Sequence, residues 1–223
     1  MKYIAKACTS KKYRGINKLI IGFVGLLSCF GTAMAVYELI SAKYLFAASY
    51  FIAAFLGFTY VIIRVNTVFA TYITVDAQNI SMKNWSNDFL PYMADSRLRL
   101  INEFVPAKTK ITEIPIREIT KIMIGTKNFI KRNSAENSSF RERIKDFETS
   151  RDRYMKKVIS SMDIFYVESR GGDSYMPIDR FEKADIVKVV NNLQKRNEAI
   201  ELHINSRDYR SLRPRQIPTE KRK

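Results

Sequence analysis

The sequence predicts an α+β membrane protein in which a transmembrane helical hairpin precedes an antiparallel β-sandwich or barrel. A C-terminal helix caps that domain and one amphipathic helix is inserted into it. Three observations predict this. Two uncharged apolar runs of membrane length lie near the start of the chain. Beyond them, short apolar stretches alternate with the period of half-buried strands. The last regular stretch spaces Phe181, Ile186, Val189, Val190 and Leu193 on one helical face.

The hairpin comes first in the chain. Nineteen uncharged residues separate Lys18 from Glu38, and twenty more separate Lys43 from Arg64. About 20 helical residues cross the roughly 30 Å hydrocarbon layer, so residues 19–37 and 44–63 each reach across. The link from Glu38 to Lys43 is too short for a domain. Lys2, Lys6, Lys11, Lys12, Arg14 and Lys18 precede the first span, whereas the link holds only Lys43. The positive-inside rule then places the basic segment 1–18 and everything after residue 63 in the cytoplasm, both termini included. Ser49, Ala53 and Gly57 recur every four residues on the second span, a stripe that lets helices approach closely. Its expected partner is the first span, with an oligomer contact as the alternative. A rival reading takes Ala33-Met34-Ala35 as a signal-peptidase site, which would give the sequons at Asn79, Asn84 and Asn137 meaning. The long basic lead and the span length favour an anchor.

Composition narrows the chemistry. The 223 residues hold 38 Lys and Arg against 22 Asp and Glu, net +16, an excess suited to lipid head groups, nucleic acid or an acidic protein surface. Cys8 and Cys29 are the only cysteines; they sit before and inside the first span and are expected to be free thiols. His203 is the only histidine, which excludes multi-histidine metal centres. No HExxH, GxSxG or phosphate-loop pattern occurs, so no cofactor, metal site or catalytic residue is expected and the chain reads as a non-enzyme.

Residues 64–205 form the expected cytoplasmic domain. Phe69, Thr71, Ile73 and Val75 alternate as a strand, Asp76 to Asn79 turn, and Ile80 and Met82 begin a second strand. Residues 85–110 are an irregular insertion with a short helix around Asp95 to Phe104. Ile111–Ile116 and Ile119–Ile124 are strand-like pieces joined through Arg117-Glu118, and Asn128 to Lys131 extends the sheet. Asp163 to Glu168, a turn at Gly171-Gly172-Asp173 and Tyr175 to Ile178 read as a hairpin.

A second insertion covers residues 131–158. Phe140, Ile144, Phe147, Arg151, Tyr154 and Val158 follow steps of 4, 3, 4, 3 and 4, the seam of a helix that packs on another helix. It packs on its own sheet, on a partner protein, or as a basic helix on the inner leaflet. Arg151 replaces an apolar residue in the seam and so points to a specific partner. The tail, 206–223, carries Arg207, Arg210, Arg213, Arg215, Lys221, Arg222 and Lys223 with two prolines and reads as disordered. Anionic lipid or nucleic acid suits it, and so does a merely solvated ending.

Tyr72-Ile73-Thr74, a turn and Ile80, then Ile114-Pro115-Ile116-Arg117-Glu118-Ile119-Thr120-Lys121-Ile122, and finally Phe181 through Arg196 resemble bacterial membrane-anchored PH-like domain proteins. These carry two transmembrane helices ahead of a cytoplasmic PH-like domain. The resemblance implies a binding or scaffolding role. Gln78-Asn79 stands where such domains often carry a basic residue, so no ligand site is carried over. The resulting expectation is a non-enzymatic integral inner-membrane protein that serves as an assembly or accessory subunit, with protein partners or its own copies. A secretion or conjugation apparatus is one setting. An anionic-lipid sensor acting through the basic helix and tail is the alternative, and a membrane-tethered nucleic-acid binder a further one.

Overall fold

The computed structural model describes residues 3–69, 71–84, 110–149 and 162–212. Strand β1, Ala5–Cys8, precedes two long helices, α1 (Lys11–Ile40) and α2 (Tyr44–Phe69). Ser10 starts α1 as its N-cap, its Oγ accepting from the Tyr13 amide at 3.3 Å. The helix therefore begins within the basic segment, well before Leu19. Its ~45 Å length exceeds the hydrocarbon layer by several turns. Both helices are long and apolar enough to cross a membrane. Helix α2 runs on through Phe69, so the strand expected from that residue starts only at Tyr72.

Small residues line the seam between α1 and α2. Ser28, Gly31 and Ala35 are buried on α1, Ala47 and Ala54 on α2. A Cβ at Gly57 would overlap Ser28 Oγ, and one at Gly31 would meet Ala54 Cβ at 3.4 Å. The seam hydroxyls bond within their own helix, Ser28 to Val24 O and Thr32 to Ser28 O, which satisfies them without water. Large apolar side chains such as Leu19, Leu26, Leu45 and Phe55 point outward, each more than 60% exposed. That surface suits lipid.

The remaining elements form a domain of two four-stranded sheets. The first has the order β1-β2-β3-β4, with β2 Tyr72–Val75, β3 Asn79–Asn84 and β4 Lys110–Pro115. The second has the order β7-β6-β5-β8, with β5 Ile119–Thr126, β6 Asp163–Ser169, β7 Gly172–Pro177 and β8 Glu201–Ile204. A 3₁₀ turn, Ile116–Glu118, separates β4 from β5, so the two isoleucine-rich pieces belong to different sheets. Strand β5 pairs antiparallel with β6, Ile122 opposite Val167 and Ile124 opposite Phe165. On its other side it pairs parallel with β8. The β6–β7 turn lies at Arg170-Gly171, and Gly172 takes φ +133°, open to glycine because it lacks a Cβ.

One core joins both sheets to helix α5, Lys183–Arg196. Ala5, Ala7, Ile73, Val75 and Ile80 enter it from the first sheet, Ile122, Ile124, Phe165 and Val167 from the second, and Ile186, Val189, Val190 and Leu193 from the helix. The alternate residues of β5 and β6, Met123, Ile164 and Tyr166, are buried as well. Covering that second face are helices α3, Lys127–Asn133, and α4, Ser139–Thr149. Two-sided burial explains why Ile-Met-Ile and Ile-Phe-Tyr-Val run without polar interruption. Residues 128–131, expected as strand, lie on α3, and Phe129 covers Gly125 so closely that a Cβ there would sit 2.7 Å from its ring.

Three features depart from the expected layout. The chain before the hairpin contributes β1 to the domain sheet, Ile4 N donating to Val75 O at 2.9 Å. The closing helix is followed by a further strand, β8. The expected disordered tail begins as ordered chain, since Ser206, Tyr209 and Leu212 are buried and the latter two lie in the core. The boundary placed at residue 206 therefore falls inside the domain. The helix expected around 95–104 lies outside the described residues.

Candidate functional site

Polar groups converge where the chain enters and leaves the hairpin. Thr9 is buried, and its hydroxyl donates to Val68 O at 2.6 Å. Arg14, one turn into α1, donates through Nε to Thr9 O at 2.7 Å. Asn17, 1% exposed, donates through Nδ2 to Tyr13 O, and its Oδ1 accepts from Arg64 Nε at 2.6 Å. The Arg64 guanidinium also lies 6.0 Å from the Tyr60 ring centroid, at cation–π range. Both arginines are thus oriented through Nε, one from each helix. Lys11, Lys12 and Lys18 are exposed on the same end of α1, which has no acidic residue in its first turn. At the other end, Lys43 pairs with Glu38 at 3.7 Å across the link.

The stripe Ser49, Ala53 and Gly57 is not the hairpin seam. Only Gly57 touches α1; Ser49 and Ala53 are exposed, and Ser49 Oγ bonds back to Leu45 O. The four-residue spacing drifts around the helix, whereas Ala47, Ala54 and Gly57 follow the 3.6-residue period and keep one face.

Phe140 and Ile144, on a seam expected to meet its own sheet, a partner protein or the inner leaflet, are fully buried on their own sheet. Phe140 meets Tyr166 and Tyr175 edge to face, with centroids 5.8 and 4.9 Å away. Its burial takes both residues off any partner surface. The side chain of Phe147 and all of Arg151, Tyr154 and Val158 lie outside the described residues. The tail cations are divided likewise: Arg207 and Arg210 are exposed on the docked segment, while Arg213, Arg215, Lys221, Arg222 and Lys223 lie outside the described residues.

Asp173 fixes the start of α4. Its Oδ1 accepts from the Ser139 amide and its Oδ2 from the Phe140 amide, both at 3.0 Å, where a carboxylate also opposes the helix dipole. Burial, reinforced by the Asp173 and Glu168 charges, pushes the Tyr166 hydroxyl well above the usual tyrosine range. Such a group stays protonated. A second polar cluster holds the C-terminal segment: Ser206 Oγ donates to Asp163 Oδ2, and Asp179 Oδ1 accepts from the Asp163 amide at 2.8 Å. Burial raises the Asp179 carboxyl above the usual range, and burial first, then the charges of Asp163, Asp179 and Asp208, raises Tyr209. Asp76 moves the other way, because the amides of Asn79 and Gln78 both bond its carboxylate at 2.7 Å.

None of these clusters joins a nucleophile to a base. Among the described residues no group of three or more His, Cys, Asp or Glu side chains is placed to hold a metal ion. Cys8 and Cys29 are free thiols. His203, half-exposed on β8, lies 3.4 Å from Glu201 on the same strand. The residues that sequence reasoning missed are Thr9, Asn17 and Arg64. Their signal was present, an Asn within the first span's approach and an Arg closing the second, but only a structure shows that they meet. The chain matches no protein-family model, and no curated protein or solved structure is significantly similar to it.

Proposed function

We propose that this chain is a non-catalytic inner-membrane protein whose helical hairpin holds a cytoplasmic α+β domain as an assembly or accessory subunit of a membrane complex. The observation that carries the reading is the split origin of the first sheet. Its strand β1 comes from before the hairpin and β2 from after it, so the domain is tied to the spans by two short connections. Such double attachment suits a domain that is completed only when chain from both sides of the hairpin is present. It also requires both ends of the hairpin on one side of a bilayer. The six basic residues ahead of Leu19 make that side the cytoplasm.

The PH-like, membrane-anchored layout is part of this proposal. Two sheets closing on a helix support it; β1, the post-helical strand β8 and the docked segment after it are additions to that plan. Partners are proteins or further copies of this chain. Purification of the full-length protein in mild detergent, with its mass measured by light scattering, tests the role. A defined assembly with stoichiometric subunits is expected. A lone monomer of 25.9 kDa protein mass at every detergent and protein concentration would remove the subunit reading.

A further inference from the structure

We propose that the outward face of the first turns of α1 is a headgroup site for an anionic phospholipid, built from Lys11, Lys12 and Lys18 around Gly15. The proposal rests on the membrane-spanning reading of α1 and α2. Residues three and four apart on a helix are surface neighbours, with Cβ atoms about 5–6 Å apart. Gly15 therefore has Lys11 and Lys12 one turn before it and Lys18 and Leu19 one turn after it. All five positions are exposed. Apart from its chain neighbours and the helix backbone, no heavy atom lies within 4 Å of where a Gly15 Cβ would stand. The missing side chain leaves a shallow depression in the helix surface, bordered by three cations. Each lysine is a point charge on a flexible stem, so all three ammonium groups can reach one phosphate seated there.

Among the described residues, none of these three lysines forms an ion pair or a side-chain hydrogen bond. Glu38, the first acidic residue in the sequence, lies about 30 Å along α1 from Lys18, several Debye lengths away at physiological salt. The helix end itself is already satisfied: Ser10 Oγ accepts from the Tyr13 amide at 3.3 Å, and Ser10 O from the Arg14 amide at 2.9 Å. The cations, not open amides, define the site. Immediately beyond Lys18 the surface becomes apolar, with Leu19 and Phe23 exposed at 76% and 64%. With residues 19–37 across the hydrocarbon, the depression stands at the headgroup level of the cytoplasmic leaflet, whose surface is anionic. A phosphate site continuous with an apolar face fits an amphiphile, and neither free phosphate nor nucleic acid would use that face.

The test is native mass spectrometry of the full-length protein titrated with phosphatidylglycerol or with phosphatidylcholine of the same acyl chains. Preferential binding of phosphatidylglycerol is expected, undisturbed by millimolar inorganic phosphate. Gly15→Leu keeps every charge and projects into open space, yet it fills the depression and should reduce that preference several-fold. Lys11→Gln combined with Lys18→Gln should weaken phosphatidylglycerol binding roughly 30-fold, at the usual contribution per basic residue near an anionic surface. Lys2, Lys6, Lys12 and Arg14 remain in that variant to hold the orientation of the hairpin. Phosphatidylcholine binding should not change in either variant. Equal affinity for the two lipids, displacement by inorganic phosphate, or an undiminished preference in either variant overturns the site. Extraction of each protein with alkaline carbonate separates the levels. A resistant wild-type chain without lipid preference refutes the site alone, whereas a chain released by carbonate refutes the membrane reading along with it.

Discussion

Phe140→Ala should unfold the domain more easily without releasing the hairpin. The phenyl ring is fully buried beneath α4 and stands edge to face on two tyrosines. Truncating a buried Phe to Ala costs about 3–5 kcal/mol through lost transfer energy and the cavity left behind. Two aromatic pairs at ~0.5–1.5 kcal/mol each keep this site clear of the lower end of that range, at ~4 kcal/mol. For a chain of this size each kcal/mol lowers Tm by about 2–4 °C, so a fall of roughly 8–16 °C follows. Near-UV circular dichroism of the full-length protein in detergent reads it, since Tyr166 and Tyr175 lose their fixed surroundings. Helical far-UV signal from the spans should survive past the transition. A Tm within ~2 °C of wild type would refute the packing of α4 on its own sheet and return Phe140 to an outward, partner-facing role.

Further predictions address other parts of the chain. Gly57→Val should force α1 and α2 apart at Ser28 and lower the detergent resistance of the hairpin, whereas Gly22→Val, with no atom within 4 Å of its Cβ, should leave it unchanged; cysteine cross-linking across the seam distinguishes them. Asp173→Ala removes both acceptors at the start of α4 and should cost about 1–2 kcal/mol in urea unfolding. The raised carboxyl of Asp179 favours its protonated form in the fold, so its stabilisation is present in acid and is lost as pH rises above the ordinary value of 3.8 through the raised one. Asp179→Asn keeps an acceptor for the Asp163 amide and should abolish that decline; identical pH–stability curves for the two proteins would contradict the assignment. A tag on the N-terminus should remain joined to the domain on a denaturing gel, because β1 is part of the core and Ala33-Met34-Ala35 lies within continuous helix. Recovery of a separate N-terminal fragment would show cleavage instead.

The two long helices were legible because charge is expensive in hydrocarbon and its absence over nineteen and twenty residues leaves little choice. Helix α5 and the β6–β7 hairpin were legible for a similar reason: their apolar spacing agrees with one period and no other. The start of α1 was hidden by Lys11, Lys12 and Arg14, which read as solvated chain although Ser10 is a good N-cap. Strand β1, Ala-Lys-Ala-Cys, is too short and too small to announce itself; it is a strand because β2 offers it an edge. Phe140 and Ile144 carried the correct helical period, but a period states only that one face is apolar, not which surface covers it. The arginine–asparagine contact between α1 and α2 joins positions 47 residues apart, beyond the reach of any local pattern.

The origin of β1 sets an order of events during synthesis. This strand leaves the ribosome before either span, yet its partner β2 lies more than 60 residues later in the chain. At about 5–20 residues per second, β1 waits several seconds, and through the whole insertion of the hairpin, before its neighbour exists. Under the membrane-spanning arrangement proposed above, the first sheet would reach completion only in chains whose hairpin has gone out and come back. Insertion would then act as a checkpoint for folding, since a chain with one span on the wrong side would keep β1 and β2 apart.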